Sequence, residues 1–215
     1  AYRVDFYVDV NDNGRYDAPP TDHAWRIDVP ASKGDRSVAF TPGGAFTDIA
    51  FPVLPAPGPA ADGVISPGEY RHTMTDPTTG MTVWWENDEE TLYVGLVAPG
   101  LGWLAIGFGP VSKMEGANII MGYVAGGTLT ISDQYGSGPT GHTADVHSDI
   151  LTSGGRESTN STTMEFSIPM DSRDAADKAL EPGERVAIIL SYHLSEDSLT
   201  AYHATARATV HIDLD

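Results

Sequence analysis

Short segments in which apolar and polar residues alternate recur along most of this chain, and that period of two points to β-strands. Leu104, Ile106 and Phe108 share one face of residues 103–109. Over 117–124, Ile119, Met121 and Tyr123 alternate with Ile120 and Val124. Met164, Phe166 and Ile168 fall on one side of 162–168. Further strands are expected over 81–85, 91–97, 128–132, 186–192 and 202–214, with Glu86–Glu90 and Gly126-Gly127 as turns. Nearer the start, Val4, Phe6, Val8 and Val10 alternate with Arg3, Asp5, Tyr7 and Asp9. Trp25, Ile27 and Val29 alternate with Arg26 and Asp28, and weaker strand signals lie at 36–40 and 46–53. Only Asp171–Leu180 reads as a short helix. Many short strands separated by turn residues predict an all-β sandwich.

The run from Pro55 to Ala61 carries three prolines and reads as a stiff joint. A boundary there separates an N-terminal β extension, residues 1–60, from a sandwich, residues 61–215. The chain opens directly on a strand-like segment, as an exported protein with its leader removed would. No apolar run approaches the roughly 18 residues that span a bilayer, so membrane insertion is not expected.

Composition narrows the chemistry. There is no cysteine, which excludes disulfides, thiolate metal sites, thiol catalysis and covalent c-type haem. The formal net charge of −18 opposes binding to nucleic acid.

Residues 9–17 place oxygen-bearing side chains at alternate positions: Asp9, Asn11, Asn13 and, farther on, Asp17. Gly14 stands at the sixth position, and the Arg15 carbonyl falls at the seventh. This is the front of a calcium-binding loop, because calcium takes six to eight hard oxygens. The acidic residue expected at the twelfth position is absent; Pro20 stands there. Asn13-Gly14 equally suits a plain hairpin turn, so both readings stand.

A second loop, Gly141–Asp149, holds His142, Asp145, His147 and Asp149, a composition that suits zinc or copper without the spacing of a known finger.

Several motifs resemble the DOMON family. They are Asp62-Gly63-Val64-Ile65-Ser66-Pro67-Gly68-Glu69-Tyr70, Gly102-Trp103-Leu104-Ala105-Ile106-Gly107-Phe108-Gly109, Met114 through Tyr123, Ser132-Asp133-Gln134-Tyr135, and Tyr202-His203-Ala204-Thr205-Ala206-Arg207. The resemblance covers about residues 62–212 and is strongest to the haem-binding branch, which includes the cytochrome domain of cellobiose dehydrogenase. It implies an immunoglobulin-like antiparallel β-sandwich holding one haem b. Carried over, the axial ligands are Met114 and His203. Relatives often show two adjacent histidines where this chain has Tyr202 and His203. Trp103, Phe108, Tyr123 and Tyr202 become candidate pocket neighbours, and Arg207 a candidate partner for a propionate. Met121, His193 and His211 are the competing donors.

The expected function is that of an extracellular, cell-surface or periplasmic electron-transfer domain rather than a catalyst. Its partner would be a redox protein or a membrane cytochrome. The alternative is a haem-free module that binds sugar or a partner protein, with Trp84, Trp85 and Trp103 exposed for stacking.

Overall fold

The structure is a computed structural model that describes residues 2–12, 16–29, 58–203 and 206–215. The chain divides into two compact units, Ala1–Gly58 and Pro59–Asp215. The strand signals at 36–40 and 46–53, and most of the proline-rich joint, lie outside the described residues.

In the first unit, β1 (Tyr2–Val8) pairs antiparallel with β2 (His23–Val29). Cross-strand neighbours supply its specific contacts. The Phe6 and Trp25 rings lie 5.6 Å apart. Arg26 donates from Nε and Nη2 to the two carboxylate oxygens of Asp5, each at 2.7 Å. Val4 and Val8 remain 47% and 48% exposed. Among the described residues of this unit, β1 and β2 form the only sheet.

The second unit contains two antiparallel sheets. The five-stranded sheet runs in the order β10 (Thr152–Glu157), β11 (Ser161–Pro169), β5 (Thr91–Pro99), β4 (Thr82–Asn87), β3 (His72–Thr75). The six-stranded sheet runs β13 (Ala206–Asp213), β12 (Arg185–Tyr192), β6 (Leu104–Phe108), β7 (Asn118–Ala125), β8 (Thr128–Gly138), β9 (Gly141–Ala144). Their inner faces share one core, in which Val83, Leu92, Leu96, Met164 and Phe166 meet Leu104, Ile106, Phe108, Ile120, Ile188 and Leu190. The arrangement is the expected β-sandwich, and the alternation of each strand is the reason it has an apolar inner face.

The outer face of the five-stranded sheet is covered by the segment that precedes β3. Glu165 faces away from the core yet is 0% exposed. Its carboxylate accepts hydrogen bonds from the Gly63 amide at 2.7 Å and the Tyr70 hydroxyl at 2.9 Å. Gly95 leaves room for Ile65, whose Cδ1 would stand 2.9 Å from a Cβ there.

The short helix expected over 171–180 is not formed; the described residues contain no helix. Local side chains capture the amides a helix would use. Arg173 N donates to Asp171 Oδ1, Asp174 N to Ser172 Oγ, and Ala176 N to Asp174 Oδ1. Ser and Asp compete with helical bonding in this way. Arg173 also has φ 62°, outside the right-handed helical region.

Candidate functional site

At the centre of the six-stranded sheet, β6 and β7 are apolar on both faces. Between the core residues of β6 and β7, the alternate positions point outward and carry Ala105, Ile119, Met121 and Tyr123. Trp103 and Ala117, which immediately precede these strands, extend the same group. Trp103 and Ile119 are each 4% exposed, and Met121 is 2% exposed. Antiparallel sheets commonly present one face to water; here two connections fold back over the second face.

The first is the β6–β7 connection. Val111 N donates to Glu115 O at 2.8 Å and Glu115 N to Ser112 O at 2.9 Å, with Lys113 at φ 54° between them. Gly116 N donates to Gly136 O and Gly136 N to Ala117 O, both at 2.9 Å, fastening this tight turn to β8. A Cβ at Gly136 would overlap the Met114 carbonyl oxygen. Met114, half-buried, packs against the outward cluster.

The second connection follows β12. His193 N donates to Trp103 O at 2.8 Å, Trp103 N to Glu196 O at 3.0 Å, and Leu101 N to Leu194 O at 2.7 Å. Gly100 and Gly102 make this approach possible. A Cβ at Gly102 would lie 2.6 Å from Glu196 N and from His193 O. Leu199 and Ala201 then pack on the same cluster as Met114. His203 follows two residues later and is half-buried.

β6 and β12 are antiparallel, with Leu104 opposite Tyr192. The two connections therefore leave the sheet at opposite ends and converge on one face. Burial, and then the nearby Arg207 cation, lower the pKa of His203 below the usual histidine value. The lowered pKa favours the neutral imidazole, the form that ligates metals.

Met114 and His203 carry donor types that suit a haem b, a thioether and an imidazole, and the face on which their connections pack is apolar. The Trp103 indole Nε1–H is buried without a hydrogen-bond partner. A buried donor left unpaired costs about 1–3 kcal/mol, so an acceptor brought by a ligand would satisfy it.

The other candidates distribute unevenly. Tyr123 lies on the Met114 face. Phe108 points the other way, into the core between the sheets, and is 0% exposed. Tyr202 is 75% exposed, with its ring centroid 4.2 Å from that of His203. Arg207 is exposed on β13. Met121 belongs to the same outward cluster as Met114. His193 is engaged in its own turn, its Nδ1 accepting from the Ser195 and Glu196 amides. His211 is exposed.

Of the three tryptophans considered for sugar stacking, Trp85 and Trp103 are buried, Trp85 Nε1 donating to the Asp213 carbonyl at 2.9 Å, and Trp84 is half-buried. Sequence reasoning also missed Gly102 and Gly136, which position the two connections. A glycine inside a strand often marks close backbone approach, and that signal was present at Gly136.

In the first unit, Asn13, Gly14 and Arg15 lie outside the described residues. Around them, Asn11 Nδ2 donates to Asp17 Oδ2 at 2.8 Å. The buried Asp22 carboxylate accepts from Val10 N at 2.9 Å and Asp17 N at 2.7 Å. Asp9 stands at the start of this loop, half-buried.

Comparison with known proteins places these features in context. Residues 77–193 match the DOMON domain. The mouse DBH-like monooxygenase protein 1 is 29% identical over 148 residues, covering 67% of this chain. The chain spans only 24% of that relative's length. Among solved structures, the cytochrome domain of Myriococcum thermophilum cellobiose dehydrogenase matches with a TM-score of 0.52 and 12% identity, covering 67% of this chain and 88% of that one. The cytochrome b domain of Coprinopsis cinerea pyranose dehydrogenase matches with a TM-score of 0.52 and 14% identity, covering 66% and 80%. At these identities the likeness is one of fold.

Proposed function

The chain belongs to the DOMON family, and on that premise we propose that its second unit is a b-type cytochrome module that transfers single electrons and is not itself a catalyst. The observation that carries this reading is the convergence of the Met114 and His203 connections from opposite ends of one sheet onto one apolar face. Met114 would hold the iron through its sulfur and His203 through a neutral imidazole nitrogen. When bound, haem b with these two donors supplies one-electron redox chemistry at a potential raised by the thioether.

The chain's own residues then have defined tasks. Trp103, Ile119, Met121 and Tyr123 exclude water from the group. Trp103 Nε1 offers a hydrogen bond to an acceptor on it. Arg207, beside His203, offers a cation to a propionate. Held by both Met114 and His203, the group would serve electron transfer rather than the binding of oxygen or substrate. The charge of −18 steers a positively charged redox partner by a salt-dependent encounter. We assign the module to an extracellular, cell-surface or periplasmic setting, with a redox protein or membrane cytochrome as partner.

An absorption spectrum of the protein, oxidised and dithionite-reduced, with and without added haemin, tests this. A Soret band with resolved α and β bands on reduction is expected. Met114→Ala should remove the six-coordinate low-spin spectrum, and His203→Ala should release the haem. A protein that stays featureless in the presence of haemin overturns the reading and leaves a haem-free binding module.

We also propose that residues 9–17 bind calcium through Asp9, Asn11, Asn13, the Arg15 carbonyl and Asp17. The fastening of both ends of the loop by Asp22 supports it, since a pre-shaped loop loses less entropy on binding.

A further inference from the structure

We propose that Asp133, Asp149 and Asp177 form a second cation site, independent of the haem face, that takes a hard divalent ion of calcium type. These residues come from β8, from the loop after β9 and from the irregular segment after β11. One carboxylate oxygen from each lies within 4.8 Å of the others. Two oxygens on opposite sides of a calcium ion, each bonded at about 2.4 Å, stand about 4.8 Å apart, so one ion fits among them.

The cluster is not merely a solvated acidic patch. Asp133 is 4% exposed. Its Oδ2 accepts from the Asp149 amide at 2.9 Å, which orients the carboxylate, while its Oδ1 is buried with no hydrogen-bond partner. Asp177 accepts from Ser172 Oγ at 2.8 Å, and its Oδ1 is likewise buried and unpartnered. On the neighbouring strand Asn118 has a third such oxygen. It shares the inward face of Ile120, whose cross-strand neighbour is Asp133. Among the described residues none of the three carboxylates forms an ion pair with a lysine, arginine or histidine.

One buried and two half-buried carboxylates this close repel one another, a repulsion that protons or a cation relieve. Burial, reinforced by neighbouring acids, pushes Asp133 up to about 6 and Asp177 up to about 7. All donors here are oxygens, which selects a hard ion over zinc or copper. The histidines of the 141–149 loop are engaged elsewhere: His142 hydrogen-bonds Gln134, and His147 Nδ1 lies 3.2 Å from Asp174 Oδ2. Asp145, His147 and Asp174 form an adjacent second group.

The test uses the full chain, stripped with EDTA, carrying Asp9→Ala and Asp17→Ala so that the N-terminal loop does not report. Calcium chloride is titrated calorimetrically, and melting temperature is followed in parallel. One equivalent should bind, and calcium at a hundredfold excess over its dissociation constant should raise the melting temperature by about 5–10 °C. Asp177→Asn should weaken binding at least tenfold, and Asp133→Asn should do the same. If Asp133→Asn fails to fold, Asp177→Asn decides. No calcium heat together with a higher melting temperature for Asp177→Asn would mean that the acids share a proton, overturning the site. Preference for zinc chloride over calcium chloride would overturn the hard-ion assignment. Binding unchanged in Asp177→Asn would place the ion elsewhere.

Discussion

The backbone of Gly136 runs directly beneath the carbonyl of Met114, so closely that a Cβ at 136 would overlap that oxygen. Backbone atoms cannot rotate aside as a side chain can. Gly136→Ala should therefore displace the Met114 turn from β8 and destabilise the fold by about 1–3 kcal/mol. Urea denaturation measures the loss. In haemin-loaded protein the same variant should lose the Met-ligated spectrum while retaining a Soret band through His203. An unshifted spectrum would show that the turn does not depend on this approach.

Gly102 plays the corresponding part for the other connection. Gly102→Ala would press a methyl group against Glu196 N and His193 O, each 2.6 Å from the new Cβ. Haemin affinity should fall at least tenfold, because the segment that carries His203 is lifted. Gly138→Ala is the control: nothing lies within 4 Å of its Cβ position. It should stay within about 0.5 kcal/mol of the parent.

Glu165 ties the 61–70 segment to the sandwich. Glu165→Ala leaves the Gly63 amide and Tyr70 hydroxyl without their acceptor, at about 1–3 kcal/mol for each group. Guanidinium denaturation should show both losses together.

The same residue carries a pH signature. Burial is the largest cause raising its pKa, outweighing the lowering effect of the Tyr70 and Gly63 hydrogen bonds. A carboxyl group whose pKa rises on folding contributes most below its unfolded value, about 4.3. That contribution declines as pH rises through the folded value. The stability gap between the parent and Glu165→Gln should therefore be widest in acid and narrow as pH rises. A gap that widens with pH would reverse the sign of the shift.

Asp22 holds the N-terminal loop through two amides. Asp22→Asn turns an NH2 toward one of them and should cost about 1–3 kcal/mol. Hydrogen exchange at Val10 and Asp17 should accelerate. With Asp177→Asn removing the second site, EDTA should still lower the melting temperature if residues 9–17 hold calcium.

Part of this organisation can be read from residue order. The alternation of Leu104, Ile106 and Phe108 against Ala105 and Gly107 defines two faces from local geometry. It does not say what covers each face. Phe108 illustrates the limit: it lies in the same motif as Trp103, beside the residues that suggest haem, yet parity sends it into the opposite core. The helix expected at 171–180 does not form for a local reason, the capture of amides by Asp171, Ser172 and Asp174.

The central strands, their inner apolar faces, the absence of cysteine chemistry and the family motifs follow from residue type and short-range spacing, whereas β3, β9 and β10 are short, polar edge strands that carry no apolar alternation to announce them. Which distant segments share a site is a tertiary matter. Asp133, Asp149 and Asp177 are separated by 16 and 28 residues, yet their oxygens meet within 4.8 Å. Glu165 is buried by a segment about a hundred residues away. Met114 and the His203 segment reach one face because antiparallel pairing of β6 and β12 sends their connections from opposite ends. Such convergence depends on sheet order and on where glycine lets backbones approach, and no local period encodes it.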